Sequence, residues 1–360
     1  MNNLDIYNIW LSMALGSCAA NGDEIARLAV TAKELYDNRS SWHVYEVFTA
    51  KQMARALEVP LEAAKNVWET HNELGINSIS CFDDDYPLCF RLIPQAPIVL
   101  FYKGDLGCLE SEHMIGIVGS RNPDRDGIKI CDEICTHLAQ NGVTIISGLA
   151  QGLDSVSHKA ALAANGKTVA FIGTGLDKYY PASHRSLQDE ISEKGCVISE
   201  YYAGSPLHSS TFLERNRLIA AASDAVCVMQ AKSKSGSLST AKRAVEYSKQ
   251  LFAIPGNITN PLYDGTNRLI QDGAYPVLSA DDILLHFGII ENKTQKRRAA
   301  KPKLNEYEQK IYDCIGRESK STNQIFAQTR IPMVQLKALL TKMEMDGVIA
   351  GVAAGVYCIK

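Results

Sequence analysis

Nothing in the 360-residue sequence reads as a passage into or across a membrane. Its apolar runs are short and broken by charges, far below the roughly 20 apolar residues a spanning helix needs. The N-terminal MNNLDIYNIW has no basic flank leading into a secretory leader's apolar core, so a cytoplasmic protein is expected. Paired cysteine ligands are missing too. None of the ten cysteines forms a CxxC, which leaves a structural zinc site without its ligand spacing. Cys131 and Cys135, four apart in a helical pattern, read as buried reduced thiols. There is no GxxxxGK[ST] anywhere, and the first strand of the central region runs into GSRNPDRDG, not GxGxxG. The fingerprints of ATP and dinucleotide binding are therefore absent, and no cofactor or metal is expected. Excess positive charge is lacking as well. A net charge of −3 weighs against nucleic acid unless basic residues are gathered locally.

What is present divides the chain, which is too long for one ordinary core. Residues 1–75 have the spacing of a small helical domain, with Leu11, Leu15, Ile25, Leu28 and Ala29 on helical faces. Thr49 is placed to cap a helix through KQMARALEV, and Pro60 separates that helix from LEAAKNVWETHNELG. Residues 76–109 read as an extended connecting segment punctuated by Pro87, Pro94 and Pro97, with Asp83, Asp84 and Asp85 as a solvated turn. Residues 291–303 form a basic linker containing KTQKRRAAKPK, read as a solvated tether. In residues 304–360, three helical patterns and a closing hairpin suggest a winged helix, the third helix opened by Pro332 and ended by Gly347. That helix carries Lys337 and Lys342 against Glu344 and Asp346, a poor endowment for reading a major groove.

Residues 110–290 are the informative part. Six runs (MIGIVGS, VTIISG, TVAFIGT, CVISEY, AVCVMQA and LFAIPG) are apolar throughout, and helical patterns fill most of the intervals between them. In DGIKICDEICTHLAQNG, Ile128, Cys131, Cys135 and Leu138 share a face, as do Ile130 and Ile134. Uniformly apolar strands alternating with helices imply a parallel sheet covered on both sides, a doubly wound α/β domain. Ligands of such sheets bind beyond the strands' carboxyl ends.

The segments at those ends carry cations and small polar residues. GSRN supplies Ser120 and Arg121, SGLAQGLD supplies Ser147 and Gly148, and FLERNRL supplies Arg215 and Arg217. Lys232 and Lys234 flank a turn of Ser235, Gly236 and Ser237, whose N–H groups and hydroxyls suit a phosphate oxygen. A lone arginine in such a loop is more often a surface ion pair, but five basic residues expected on one rim favour an anion with several phosphates. Phe212, Tyr179, Tyr180, Tyr201 and Tyr202 stand where unpaired bases would stack, although any one of them alone more often packs. Arg215 and Arg217, two apart, cannot both point the same way from a regular helix. Asp154 and His158 have the i,i+4 spacing of an acid–base pair but no accompanying nucleophile, so a structural role is expected.

Taken together, IGIVGSR (115–121), SGLAQGLD-x3-H (147–158), FLERNRLIAAAS (212–223), SGSLSTAKRAVE (235–246), LFAIPGN (251–257) and DGTNRLIQDGA (264–274) resemble, in order and spacing, the DprA/Smf family of DNA-processing proteins. The resemblance implies an extended Rossmann-like fold with a SAM-like N-terminal helical domain and a C-terminal winged helix. It implies a non-catalytic, homodimeric protein that binds and protects incoming single-stranded DNA and loads RecA recombinase during natural transformation. It marks Arg121, Arg215, Arg217, Lys234, Ser235, Gly236 and Ser237 as DNA contacts, with Lys167 of NGKTVAF and Asn267 of GTNRLI as weaker ones. Where the family often has FPxRNR, Leu213 replaces the proline, which suggests a looser helix entry beside Phe212. The competing reading is a nucleotide monophosphate phosphoribohydrolase. Its PGGxGTxxE turn is replaced here by SGSLSTAKRAVE, with Glu246 displaced.

Overall fold

The helices that open the chain begin and end where capping chemistry puts them. The computed structural model describes residues 4–28, 30–91, 93–290, 304–316, 318–346, 348–353 and 355–359. The expectations for Ala29, the 291–303 linker and Gly347 lie outside these. Helices α1 (Leu4–Leu15), α2 (Gly22–Ile25), α3 (Ala32–Asp37), α4 (Ala50–Glu58) and α5 (Leu61–Leu74) make up the N-terminal part. Thr49 caps α4 in a capping box with Gln52, and α5 ends at Gly75 in the left-handed region. Trp10 and Trp42 are fully buried edge to face and join one continuous core with the sheet that follows.

The segment 76–109 is more than a connector. It contributes β1 (Asn77–Ser80), a short α6 (Leu88–Arg91) and β2 (Val99–Gly104), and the two strands extend the central sheet, β2 antiparallel to β6 and β1 antiparallel to β2. The alternating prolines hid this, because they fall between the strands. Asp83 accepts from the Ser80 N–H and hydroxyl, holding the acidic turn as expected.

Each of the six apolar runs is a buried strand: β3 (Met114–Val118), β4 (Thr144–Ser147), β5 (Thr168–Ile172), β6 (Cys196–Ser199), β7 (Ala225–Val228) and β8 (Gln250–Ala253). Between them run α7 (Arg125–Gln140), α8 (Leu153–Ala163), α9 (Arg185–Lys194), α10 (Ser209–Ala222) and α11 (Ser237–Glu246). After β8 come α12 (Asp264–Gln271), the edge strand β9 (Tyr275–Pro276) and α13 (Ala280–His286). The sheet order is β1-β2-β6-β5-β4-β3-β7-β8-β9, parallel from β6 to β9. The chain therefore winds one way from β3 and returns to wind the other way from β7. On α7 the buried face is Cys131, Ile134, Cys135 and Leu138; Ile128, expected on it, is 42% exposed.

Residues Ile290–Lys360 form a separate unit. Three helices (Glu306–Ile315, Thr322–Thr329 and Met333–Met345) pack with β10 (Lys320–Ser321), β11 (Ile349–Ala353) and β12 (Val356–Ile359) as a winged helix. Pro332 caps the third helix, and Lys342 on it is tied to Glu308 at 2.7 Å.

Candidate nucleic-acid interface

Strands β3 and β7 are neighbours whose connections leave in opposite directions, so their carboxyl ends cannot be bridged by one crossover. A cleft of about 520 Å³ opens there. One wall is the turn after β3, with Ser120, Arg121 and Asn122. The opposite wall is the loop from Lys232 to Ser237 after β7, and the first turns of α10 close the third side with Phe212, Leu213, Arg215 and Asn216.

The rim is cationic. Arg121, Lys232 and Lys234 are exposed, and none has an ion pair among the described residues. The Arg121 guanidinium lies 5.7 Å from the Phe212 ring centre, and Tyr180 approaches the same ring at 4.9 Å. Ser235 and Ser237 share a hydroxyl–hydroxyl hydrogen bond of 2.7 Å, and the Ser237 N–H donates to the Ser235 hydroxyl. This local bonding shapes the small-residue turn without any side chain filling the cleft. Asn216 donates to the Ser239 hydroxyl at 2.8 Å and to the Gly236 carbonyl at 3.4 Å, fixing the turn against α10.

The floor is polar and buried. Arg215, only 3% exposed, donates through Nη1 to the Gly148 carbonyl at 2.5 Å and to the Phe171 carbonyl. Its Nε and the Thr240 hydroxyl are buried with no partner among the described residues, and both residues line the cleft. Burial pulls the Arg215 guanidinium down to about 10, with Asp154 opposing the fall. Burial also raises the Asp154 carboxyl, against the pull of Arg215 and of the Ala150 and Gly148 N–H groups. Asp154 thus offsets the charge at the floor while the rim keeps its own.

Several residues proposed from sequence are elsewhere. Arg217 is 1% exposed, faces away from the cleft and grips both oxygens of Glu200 at 2.7 Å. Its Nε–H points at the Cys18 sulfur, 3.4 Å away, so this arginine locks the N-terminal part to α10. The expectation of five cations on one rim is corrected to three on the rim, one in the floor and one in the core. Ser147 is buried, donating to the Ile117 carbonyl at 2.6 Å. Gly148 is required for space: a Cβ there would sit 2.2 Å from the Arg215 guanidinium. Lys167 precedes β5 and so lies at the opposite end of the strands from the cleft. Asn267 spends its side-chain amide on the backbone of Gly256, at 3.0 and 3.1 Å. Leu213 loosens nothing, because α10 begins four residues earlier, at Ser209. His158 turns to the Thr168 hydroxyl at 2.6 Å instead of pairing with Asp154, and burial holds it down to about 3, hence neutral. Asn122, Asn216 and Thr240 lie inside the GSRN, FLERNRL and SGSLSTAKRAVE motifs but were not singled out there, because uncharged polar residues in a motif carry no charge signal of their own.

Residues 77–288 match the family model of DNA recombination-mediator protein A, and residues 295–355 match that of the DprA winged helix domain. The chain is 44% identical over 210 residues to the DNA processing protein DprA of Streptococcus pneumoniae, covering 58% of this chain and 74% of that one. Protein Smf of Escherichia coli is 34% identical over 284 residues, 78% of this chain and 75% of that one. The X-ray structure of the pneumococcal DprA superposes with a TM-score of 0.66 at 35% identity, covering 80% of this chain and 98% of that one. A structure of the Helicobacter pylori protein, described for its single-stranded DNA binding mode, gives 0.54 at 31% identity, covering 59% and 94%. No helix among the described residues is long and apolar enough to cross a membrane.

Proposed function

The chain belongs to the DNA recombination-mediator protein A (DprA) family, and from that premise we propose that its cleft grips the phosphate backbone of single-stranded DNA without chemistry on it. The observation that carries this reading is the pairing of an unneutralised cationic rim with unpartnered buried donors, Arg215 Nε and the Thr240 hydroxyl, at the floor of one cleft. Rim cations supply long-range attraction to a polyanion. A buried donor left without a partner is costly, and an anionic oxygen relieves that cost. Phe212 offers a ring beside the phosphate path for stacking once Arg121 swings toward the strand.

Phosphate contacts carry no base code, so Arg121→Ala or Lys234→Ala should weaken oligonucleotides of every sequence alike. The expected loss is about tenfold each, roughly 1.4 kcal/mol, in a titration at fixed salt. Unchanged affinity in both folded variants would reject the site. The hydrolase alternative gains nothing here, since Glu246 closes α11 in ion pairs with Arg243 at 2.8 Å and Lys242 at 3.8 Å. Release of free base from nucleoside monophosphates would reinstate it.

The wider role we propose follows the family resemblance: a homodimer that protects incoming strands and loads RecA recombinase on them during natural transformation. It predicts twice the chain mass in sedimentation, and faster RecA filament assembly when the protein is added to single-stranded DNA.

A further inference from the structure

Beside the cleft, α7 and α8 leave a shallow groove of about 400 Å³ between their outer faces, lined by Arg125, Ile128, Lys129, Asp132, Val156 and Lys159. Ile128, which departs from the helix's core face, and Val156 make its apolar floor. Three cations stand against one carboxylate. Arg125 and Lys159 have no ion pair among the described residues, and Lys129 reaches Glu133 only at 3.8 Å with both side chains exposed, a contact worth little.

The linings of the groove and the cleft adjoin along the chain, at Asn122 and Arg125 and again at Asp154 and Val156. Helix α7 starts four residues after Arg121, and α8 is opened by Gly152, where a Cβ would lie 2.3 Å from the Ser120 carbonyl oxygen. Helix α7 therefore follows the turn that carries Arg121, and the start of α8 packs against that same turn. Arg125 and Lys129 follow it at one-turn spacing, about 6 Å along the axis, on a single face.

We infer that a single strand held in the cleft leaves it past Arg121 and runs along the α7–α8 groove. Arg125, Lys129 and Lys159 meet its successive phosphates there, while Ile128 and Val156 underlie sugars and bases. The inference rests on the proposed reading of the cleft and adds the direction of the strand. With no aromatic residue in the groove, its contribution is electrostatic and independent of sequence.

The test uses the full chain carrying Lys129→Gln and Lys159→Gln together, both on exposed positions, with thermal unfolding as the fold control. Oligonucleotides of about 4 and about 16 nucleotides, the span of single-strand site sizes, are titrated over a salt series. The variant should bind the short strand as wild type does. It should bind the long strand about tenfold more weakly, with a salt slope shallower by about 1.4. Wild-type affinity and slope on the long strand would overturn the groove path. Arg121→Ala, run in parallel, separates the two ideas. If it weakens both lengths while the groove variant weakens neither, only the path is lost. If neither it nor Lys234→Ala weakens either length, the cleft reading falls, and the path with it.

Discussion

Arg215 and Arg217 stand two apart on α10 and are both buried, yet their surroundings give them opposite duties. Arg217 is matched by Glu200 with two hydrogen bonds, so its removal leaves a carboxylate buried without its counter-charge. Arg217→Ala should therefore cost about 3–5 kcal/mol in denaturant unfolding, while the protein that remains folded keeps its affinity for single-stranded DNA. Weakened binding at wild-type stability would return Arg217 to the interface. Two buried histidines make a second prediction. Burial holds His71 down to about 4 and His158 to about 3, from an ordinary 6.5, and His71 Nε2 accepts the Ala203 N–H. Below pH 6.5 the unfolded chain takes up protons that the folded chain refuses, so stability falls as the pH drops from 6.5 toward 4. The slope is about 1.4 kcal/mol per pH unit for each histidine. Urea titrations at pH 7, 6 and 5 measure it, and His71→Gln should remove its share; a flat profile would show that these rings are not sealed from protons.

At the level of elements, the cleft depends on how helices meet the turns that follow the strands. Gly152, at φ +88, opens α8 directly against the Ser120–Arg121 backbone. Gly152→Ala should cost about 1–3 kcal/mol and also weaken DNA binding, because the Arg121 turn must move. Gly142, at φ +81 with nothing within 4 Å of a Cβ, is the control. There alanine should cost about 1–2 kcal/mol through backbone conformation alone and leave binding intact. Equal effects on binding would mean that the contact at Gly152 does not position the turn. The sheet's edges show where pattern reading reaches and where it stops. Strands buried on both faces advertise themselves as continuous apolar runs, so β3 to β8 were legible. β1 and β2 were not, because β1 is a four-residue edge strand with a mixed pattern and the prolines between the two made the whole segment read as a connector.

For the whole molecule, the two units have separate cores, with the cleft wholly within Met1–Ile289. The winged helix's third helix has Lys342 committed to Glu308 and is otherwise nearly neutral. A chain ending at residue 290 should therefore bind single-stranded oligonucleotides within about twofold of the full chain, and with the same salt slope. A tenfold loss on truncation would assign DNA contacts to the C-terminal unit or to the basic segment that joins it.

Local pattern was enough to determine the doubly wound sheet, the winged helix and the turn that presents Lys234, Ser235, Gly236 and Ser237. Burial periodicity and turn chemistry act over a few neighbouring residues. It also limited what the RNR segment could do, since residues two apart on a helix face different surroundings. Only the tertiary structure decided that Arg217 belongs to Glu200 and Cys18, that Asn267 belongs to Gly256, and that Lys167 lies at the far end of the strands. A charge becomes a ligand or a strut according to which partners reach it. Those partners, here 17 and 199 residues away from Arg217 in the chain, are chosen by packing.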